Sequence, residues 1–232
     1  MSLLNKAKAA AVKGGTSFTP APASGYYVAS FDAERTKIAQ GGSLMLGLKF
    51  EGYSTSKFVS DPSATLQKPD TRAPKWALNE CIEVGAIAEN LGLLQTIADS
   101  DADFDNKKPS PQSAKRLDDA GFDAEDQTTF AQAQAVFGRL SDPAWMKRQS
   151  PSQVVVKWAA PERGARNKKG GPLYGEIQGI YPVGMLDELR AGPPVEDIKG
   201  FVGAPAASGG NASGSSAAAA SADVPDDGDI PF

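Results

Sequence analysis

The chain contains no histidine, and that single absence removes a large block of chemistry. Without an imidazole, the common zinc sites, the Ser-His-Asp and Cys-His nucleophile pairs and a histidine general base are all excluded. Cys81 is the only cysteine, so neither an internal disulfide nor a multi-cysteine metal site can form. No apolar run approaches the length of a membrane span, and the first residues lack the long apolar core of a signal peptide. A cytoplasmic, non-catalytic protein without a cofactor is the expectation.

Charge is scarce in a different sense. The formal net charge is −4, and Asp223, Asp226, Asp227 and Asp229 lie beyond residue 222, where there is no Lys or Arg. Setting those four acids aside leaves 24 basic and 24 acidic residues, a neutral body. The pI of about 5.0 argues weakly against nucleic-acid binding, so the local distribution of charge carries more information than the total.

At 232 residues and 41% apolar composition, the chain can bury a proper core. Residues 1 to 24 read as a flexible arm that includes a short Lys/Ala-rich helical stretch, Asn5 to Lys13. Strand patterns follow at Tyr26 to Phe31, at Ser43 to Tyr53 after a Gly41-Gly42 turn, and at Thr55 to Val59. In one half-buried sheet, some of these aromatics must face outward.

The period then changes. From Pro74 to Ala98, Leu78, Ile82, Ile87, Leu91, Leu94 and Ile97 recur near the helical repeat, widened by Cys81 and Val84. Gly85 and Gly92 weaken this helix but would permit close packing. Cys81 reads as a small buried hydrophobe. The stretch Asp99 to Asn106 invites a calcium loop, yet an EF-hand needs Gly at its sixth and Glu at its twelfth position. Counted from Asp99 those places hold Phe104 and Ser110, and counted from Asp101 they hold Asn106 and Gln112, so a solvated loop is expected. Residues 111 to 140 read as helix on Phe130, Val136, Phe137 and Leu140, and residues 74 to 148 form a helical insertion beside a β-domain.

Two further strands are expected at Gln153 to Ala159 and Leu173 to Tyr181, joined by a long, mobile, glycine-rich loop. From Lys147 to Lys169 the basic residues are Lys147, Arg148, Lys157, Arg163, Arg166, Lys168 and Lys169, against Glu162 as the one acid. Cations that track phosphates, beside rings that stack on bases at roughly 1–3 kcal/mol per base, are what single-stranded nucleic acid requires. The candidate rings are Trp158, Tyr174, Phe50 and Tyr53, expected to include at least one stacking residue. A short helix at Met185 to Arg190 and Pro193-Pro194 close the compact part. Residues 201 to 224 read as a disordered Ala/Ser/Gly linker of about 25 residues, reaching on the order of 25–30 Å.

The sequence ends Asp226-Asp227-Gly228-Asp229-Ile230-Pro231-Phe232. The side chain of Phe232 and the terminal carboxylate could enter an apolar pocket with a cation at its lip while the three acids run over a basic rim. Pro231 restricts the backbone just before Phe232 and lowers the entropy lost on docking. This ending resembles the C-terminal tip of bacterial and phage single-stranded DNA-binding proteins, whose tails finish in acidic residues followed by Ile-Pro-Phe.

The resemblance covers under a tenth of the chain. It implies sequence-nonspecific binding of single-stranded DNA in replication, recombination or repair. It also implies recruitment of a polymerase, helicase, primase or nuclease through residues 225 to 232. With it, the mainly β, α+β pattern is expected to be an OB-fold-like barrel over residues 25 to 200, although strand counting alone equally allows another β-barrel with a helical insertion. A divergent, phage-type protein working in a bacterial host cytoplasm fits best, because the compact N-terminal barrel of the bacterial family is interrupted here by helix. The rivals are an adaptor that carries the tail without binding DNA, and a metal-dependent nuclease or phosphatase built on Asp99 to Asp105.

Overall fold

The computed structural model describes residues 21–200 of the chain. Six strands run β1 (Gly25–Phe31), β2 (Lys37–Ile38), β3 (Leu44–Phe50), β4 (Tyr53–Val59), β5 (Val154–Ala159) and β6 (Glu176–Pro182). Between β4 and β5 lie α1 (Pro62–Leu66), α2 (Ala73–Asn90), α3 (Leu94–Asp99), α4 (Pro111–Asp119), α5 (Ala124–Leu140) and α6 (Pro143–Gln149). A final short helix, α7 (Leu186–Ala191), follows β6.

Alternation fixes the sheet's two faces. Leu44, Leu46, Leu48 and Phe50 of β3 are buried, which turns Met45 and Lys49 to the other side. Glu51 (φ 48°) and Gly52 (φ 76°) both adopt left-handed conformations, the requirement of a tight two-residue hairpin, and so pair Phe50 with Tyr53 and Met45 with Phe58. β1 and β2 lie end to end along the opposite edge of β3, separated by a bulge at residues 32–36. Asp32 N donates to Gly47 O at 2.9 Å, and Gly47 N donates to Thr36 Oγ1 at 2.9 Å. Only glycine fits here, since a Cβ at position 47 would stand 2.2 Å from Asp32 O.

All ladders are antiparallel, and the order across the sheet is β4, β3, β1 with β2, β5, β6. β4 and β6 approach one another without pairing, so the sheet curls into a half-barrel. Its interior carries a cluster of rings. Tyr27 stacks on Phe50 at 5.2 Å between centroids, and Trp158 meets Phe50 at 5.6 Å and Tyr53 at 5.3 Å. Burial raises the Tyr27 hydroxyl above its usual range, with Glu51 adding to the effect.

α2 closes this interior with Val84, Ile87 and Ala88, while Ala77 and Cys81 join Leu66, Leu117, Phe130 and Ala133 in a second core among the helices. Cys81 is buried, and its thiol is pushed up to about 12 by desolvation, with Glu80 contributing. Ile82, expected in the apolar stripe, is instead 68% exposed, because the buried face runs through positions 77, 81, 84 and 88. The expected helix over 74 to 98 breaks at Gly92 (φ 69°), where Ser152 N donates to Leu91 O at 2.9 Å. A Cβ at Gly92 would meet Ser152 Oγ at 2.8 Å, whereas one at Gly85 would meet open space, so Gly92 alone serves close approach.

The stretch from 111 to 140 likewise divides, at Gly121 (φ 82°), and restarts on the Asp123 capping box of α5. The insertion therefore spans α1 to α6 and begins twelve residues before its expected start, at Pro62 capped by Asp61. In the acidic stretch, Asp101 pairs with Lys107 at 2.7 Å, and hydrogen bonding to Lys107 lowers its pKa. Phe104 buries against the core.

Among the described residues no group of three or more His, Cys, Asp or Glu side chains is placed to hold a metal ion. None of the described helices is long and apolar enough to cross a membrane. Pro193-Pro194 does not end the ordered chain: Ile198 bridges to Pro161, and Ile198 N donates to Ala160 O at 2.8 Å. Residues 1–20 of the arm, the linker and the acidic tip lie outside the described residues.

Candidate nucleic-acid interface

The outer surface of the half-barrel is divided in two. Val155 points outward from β5 but is fully buried, because the turn at Val183–Met185 packs over it and α7 lies along β1. Arg190 Nη2 anchors that cover by donating to Tyr26 O at 3.1 Å. The β3–β4 half retains an exposed ring: Phe58 is 60% exposed, with Met45 directly opposite and Lys37 beyond it. Lys49 stands further along this face, opposite Ser54 and Ser30. Lys57, by contrast, is on the inner face and reaches Glu83 of α2 at 2.9 Å.

Of the expected stacking residues, two require correction. Phe50 and Trp158 are buried at 2% and 0% exposure, and Trp158 Nε1 donates to Pro22 O at 3.0 Å. Both are core residues beyond the reach of a base, because the curled sheet turns their strand positions inward. A Cβ at Gly175 would stand 2.3 Å from the Trp158 ring, so the chain passes directly over the indole. Tyr53 is half-buried in the same ring cluster. Tyr174, at 76% exposure, is the expected ring that stands in solvent.

The basic residues are distributed over three elements. Lys147 and Arg148 occupy the last turn of α6 and are exposed, and Lys147 lines a groove with Ser30, Lys49 and Ser54. Lys157 is half-buried on β5 opposite Tyr26. Arg163, Arg166, Lys168 and Lys169 are on the β5–β6 loop, where all four are exposed.

That loop has internal structure. Asn167 Oδ1 accepts from Lys169 N at 2.9 Å and Gly171 N at 3.0 Å, and Arg166 Nη1 donates to Gly170 O at 2.8 Å. The left-handed glycines Gly164 (φ 82°) and Gly170 (φ 78°) provide its corners. At its base Glu162 N donates to Ile198 O at 3.1 Å, and Ser24 bonds both Ala160 N and the Asp197 carboxylate.

Phe58, Lys37 and Arg35 are functional candidates that the sequence pattern does not single out. Phe58 is legible in principle: with Leu44 to Phe50 alternating inward and a two-residue turn at Glu51-Gly52, positions 45 and 58 must share the outer face. The arrangement combines an exposed ring on an open sheet face, flanking lysines and a built cationic loop. Comparison of the chain with protein-family models, curated proteins and solved structures finds no match.

Proposed function

We propose that this protein binds single-stranded DNA without catalysing a reaction, on an OB-type barrel, and that the acidic segment ending Ile230-Pro231-Phe232 recruits replication or repair proteins. The observation that carries the reading is the position of the cationic loop. Counting interrupted β1–β2 as one strand gives five strands, with the helices between the third and fourth and Arg163, Arg166, Lys168 and Lys169 between the fourth and fifth. An OB-fold is a five-stranded, partly open barrel whose second and third strands and whose loops between strands one and two and between strands four and five hold oligonucleotides. The open face with Phe58 and Met45 corresponds to those second and third strands.

The chemistry supports the same reading. Phe58 and Tyr174 supply π-faces that any base can stack on, and the lysines and arginines supply phosphate contacts that require no sequence. The likeness of residues 226–232 to the tip of single-stranded DNA-binding proteins adds support from a separate part of the chain. Titration of fluorescent oligo-dT with the full chain at two salt concentrations tests the proposal. Affinity should fall steeply as salt rises, because phosphate-bound counterions are released on binding. Absence of binding at low salt would overturn it and favour the tail-bearing adaptor.

A further inference from the structure

A groove of about 520 Å³ opens on the outer face beside the β1–β2 bulge. Asp32 and Glu34 bring carboxylates to it, Arg35 and Lys37 bring cations, and Ser54 and Ser56 bring hydroxyls. Met45, the cross-strand neighbour of the exposed Phe58, provides an apolar wall. If this groove held only backbone phosphate, the two carboxylates would oppose the ligand. A nucleobase edge, in contrast, presents both donors and acceptors, and the exocyclic amine of cytosine is a donor that Asp and Glu accept well.

The bulge that carries these carboxylates is held in place. A β-bulge re-aims side chains, and here three extra residues on the β1–β2 strand lift Asp32 to Thr36 away from the ladder. Thr36 is buried, and its hydroxyl donates to Asp32 O at 2.8 Å while accepting from Gly47 N. Asp32 Oδ1 accepts from Glu34 N at 3.1 Å, and Ser56 Oγ donates to Arg35 O at 3.4 Å. The Asp32 acceptor is thus fixed before a base arrives, and the Glu34 carboxylate stands exposed beside it.

We infer that this groove is a base-reading subsite that takes a nucleobase carrying an exocyclic amine in preference to one carrying a carbonyl at the same position. The inference rests on the proposed binding of single-stranded DNA and adds a base preference to it. Glu34 and Asp32 accept from the amine, Arg35 and Lys37 donate to ring acceptors or the adjoining phosphate, and Phe58 offers the stacking surface.

The test compares oligo-dC with oligo-dU, which present an amine against a carbonyl at the 4-position and an acceptor against an N–H at N3, at mildly alkaline pH and fixed salt. The full chain should bind oligo-dC about five- to tenfold more tightly. Glu34→Ala should bring the ratio towards one while leaving oligo-dU affinity unchanged or raised, because the change also removes a negative charge. Asp32→Asn serves as the second variant, and thermal melting of both checks the fold.

Equal binding of the two oligonucleotides by the unaltered protein would overturn the inference while leaving DNA binding intact. It is likewise overturned if both folded variants keep the full preference, or if they raise both affinities equally, which would mark the carboxylates as simple phosphate repellents. Binding of neither oligonucleotide would sink the DNA-binding reading and the inference with it.

Discussion

Phe50 and Phe58 lie on adjacent strands of one hairpin, yet they differ in everything that determines their role. Phe50 points into the curl against Tyr27 and Trp158, whereas Phe58 stands 60% exposed over Met45. Phe50→Ala should therefore cost about 3–5 kcal/mol of stability through reduced burial and a cavity, seen as a large drop in melting temperature. Phe58→Ala should melt like the unaltered protein and bind oligo-dT about five- to hundredfold more weakly, the worth of one stacked base. A Phe58→Ala protein with full affinity would remove this face from the site. Residue types are legible in the sequence, but their facing is not: the pattern offers Phe50 and Trp158 as candidate stacking rings because the tight inward curl that buries them is a non-local property. Gly47 shows the same limit, since its need to be glycine comes from Asp32 and Arg35, fifteen and twelve residues earlier in the chain.

Among the elements, the β5–β6 loop shows composition and geometry giving different information. Its run of Arg and Lys is evident in the sequence, where glycine content points to a mobile finger. Asn167, two left-handed glycines and the pairing of Pro161 with Ile198 give the loop internal hydrogen bonds that composition does not reveal. Arg166 uses one donor on Gly170 O and retains others for a phosphate. Replacing Arg163, Arg166, Lys168 and Lys169 together with Ala should weaken oligo-dT binding. It should also reduce the magnitude of the salt slope by up to about 0.7 for each phosphate no longer neutralised. An unchanged slope would exclude the loop. The helical insertion is legible as helix but not in its joints, because Gly92 and Gly121 act through left-handed backbone, and Gly92 also through its approach to distant Ser152, rather than through periodicity.

At the scale of the whole molecule, charge is partitioned by architecture. Residues 60–150, the helical insertion and its flanks, carry fifteen acids and ten bases, whereas the described residues on either side carry nine acids and eleven bases. Under the proposed function, this balance would favour a phosphate backbone on the sheet and its loop over most of the helical insertion. On the same reading, Asp226, Asp227 and Asp229 would compete with DNA for the cations of the loop. Deleting residues 225–232 should leave oligo-dT affinity unchanged or raise it, most visibly at low salt where attraction between the segment and the loop is least screened. The deletion should abolish recovery of replication partners from a bacterial lysate, and Phe232→Ala alone should remove most of it. Equal recovery by all three proteins would make the resemblance of the tip accidental. The sequence by itself determined the exclusions that follow from having no histidine and one cysteine, the α+β class, the basic run and the acidic Ile-Pro-Phe segment, because composition and local periodicity are properties of neighbours in the chain. Only the tertiary structure decided which rings are core, that the bulge brings Asp32 and Glu34 to one groove with Met45, and that the β3–β4 face stays open while Val155 is covered, because each depends on packing between segments distant in sequence.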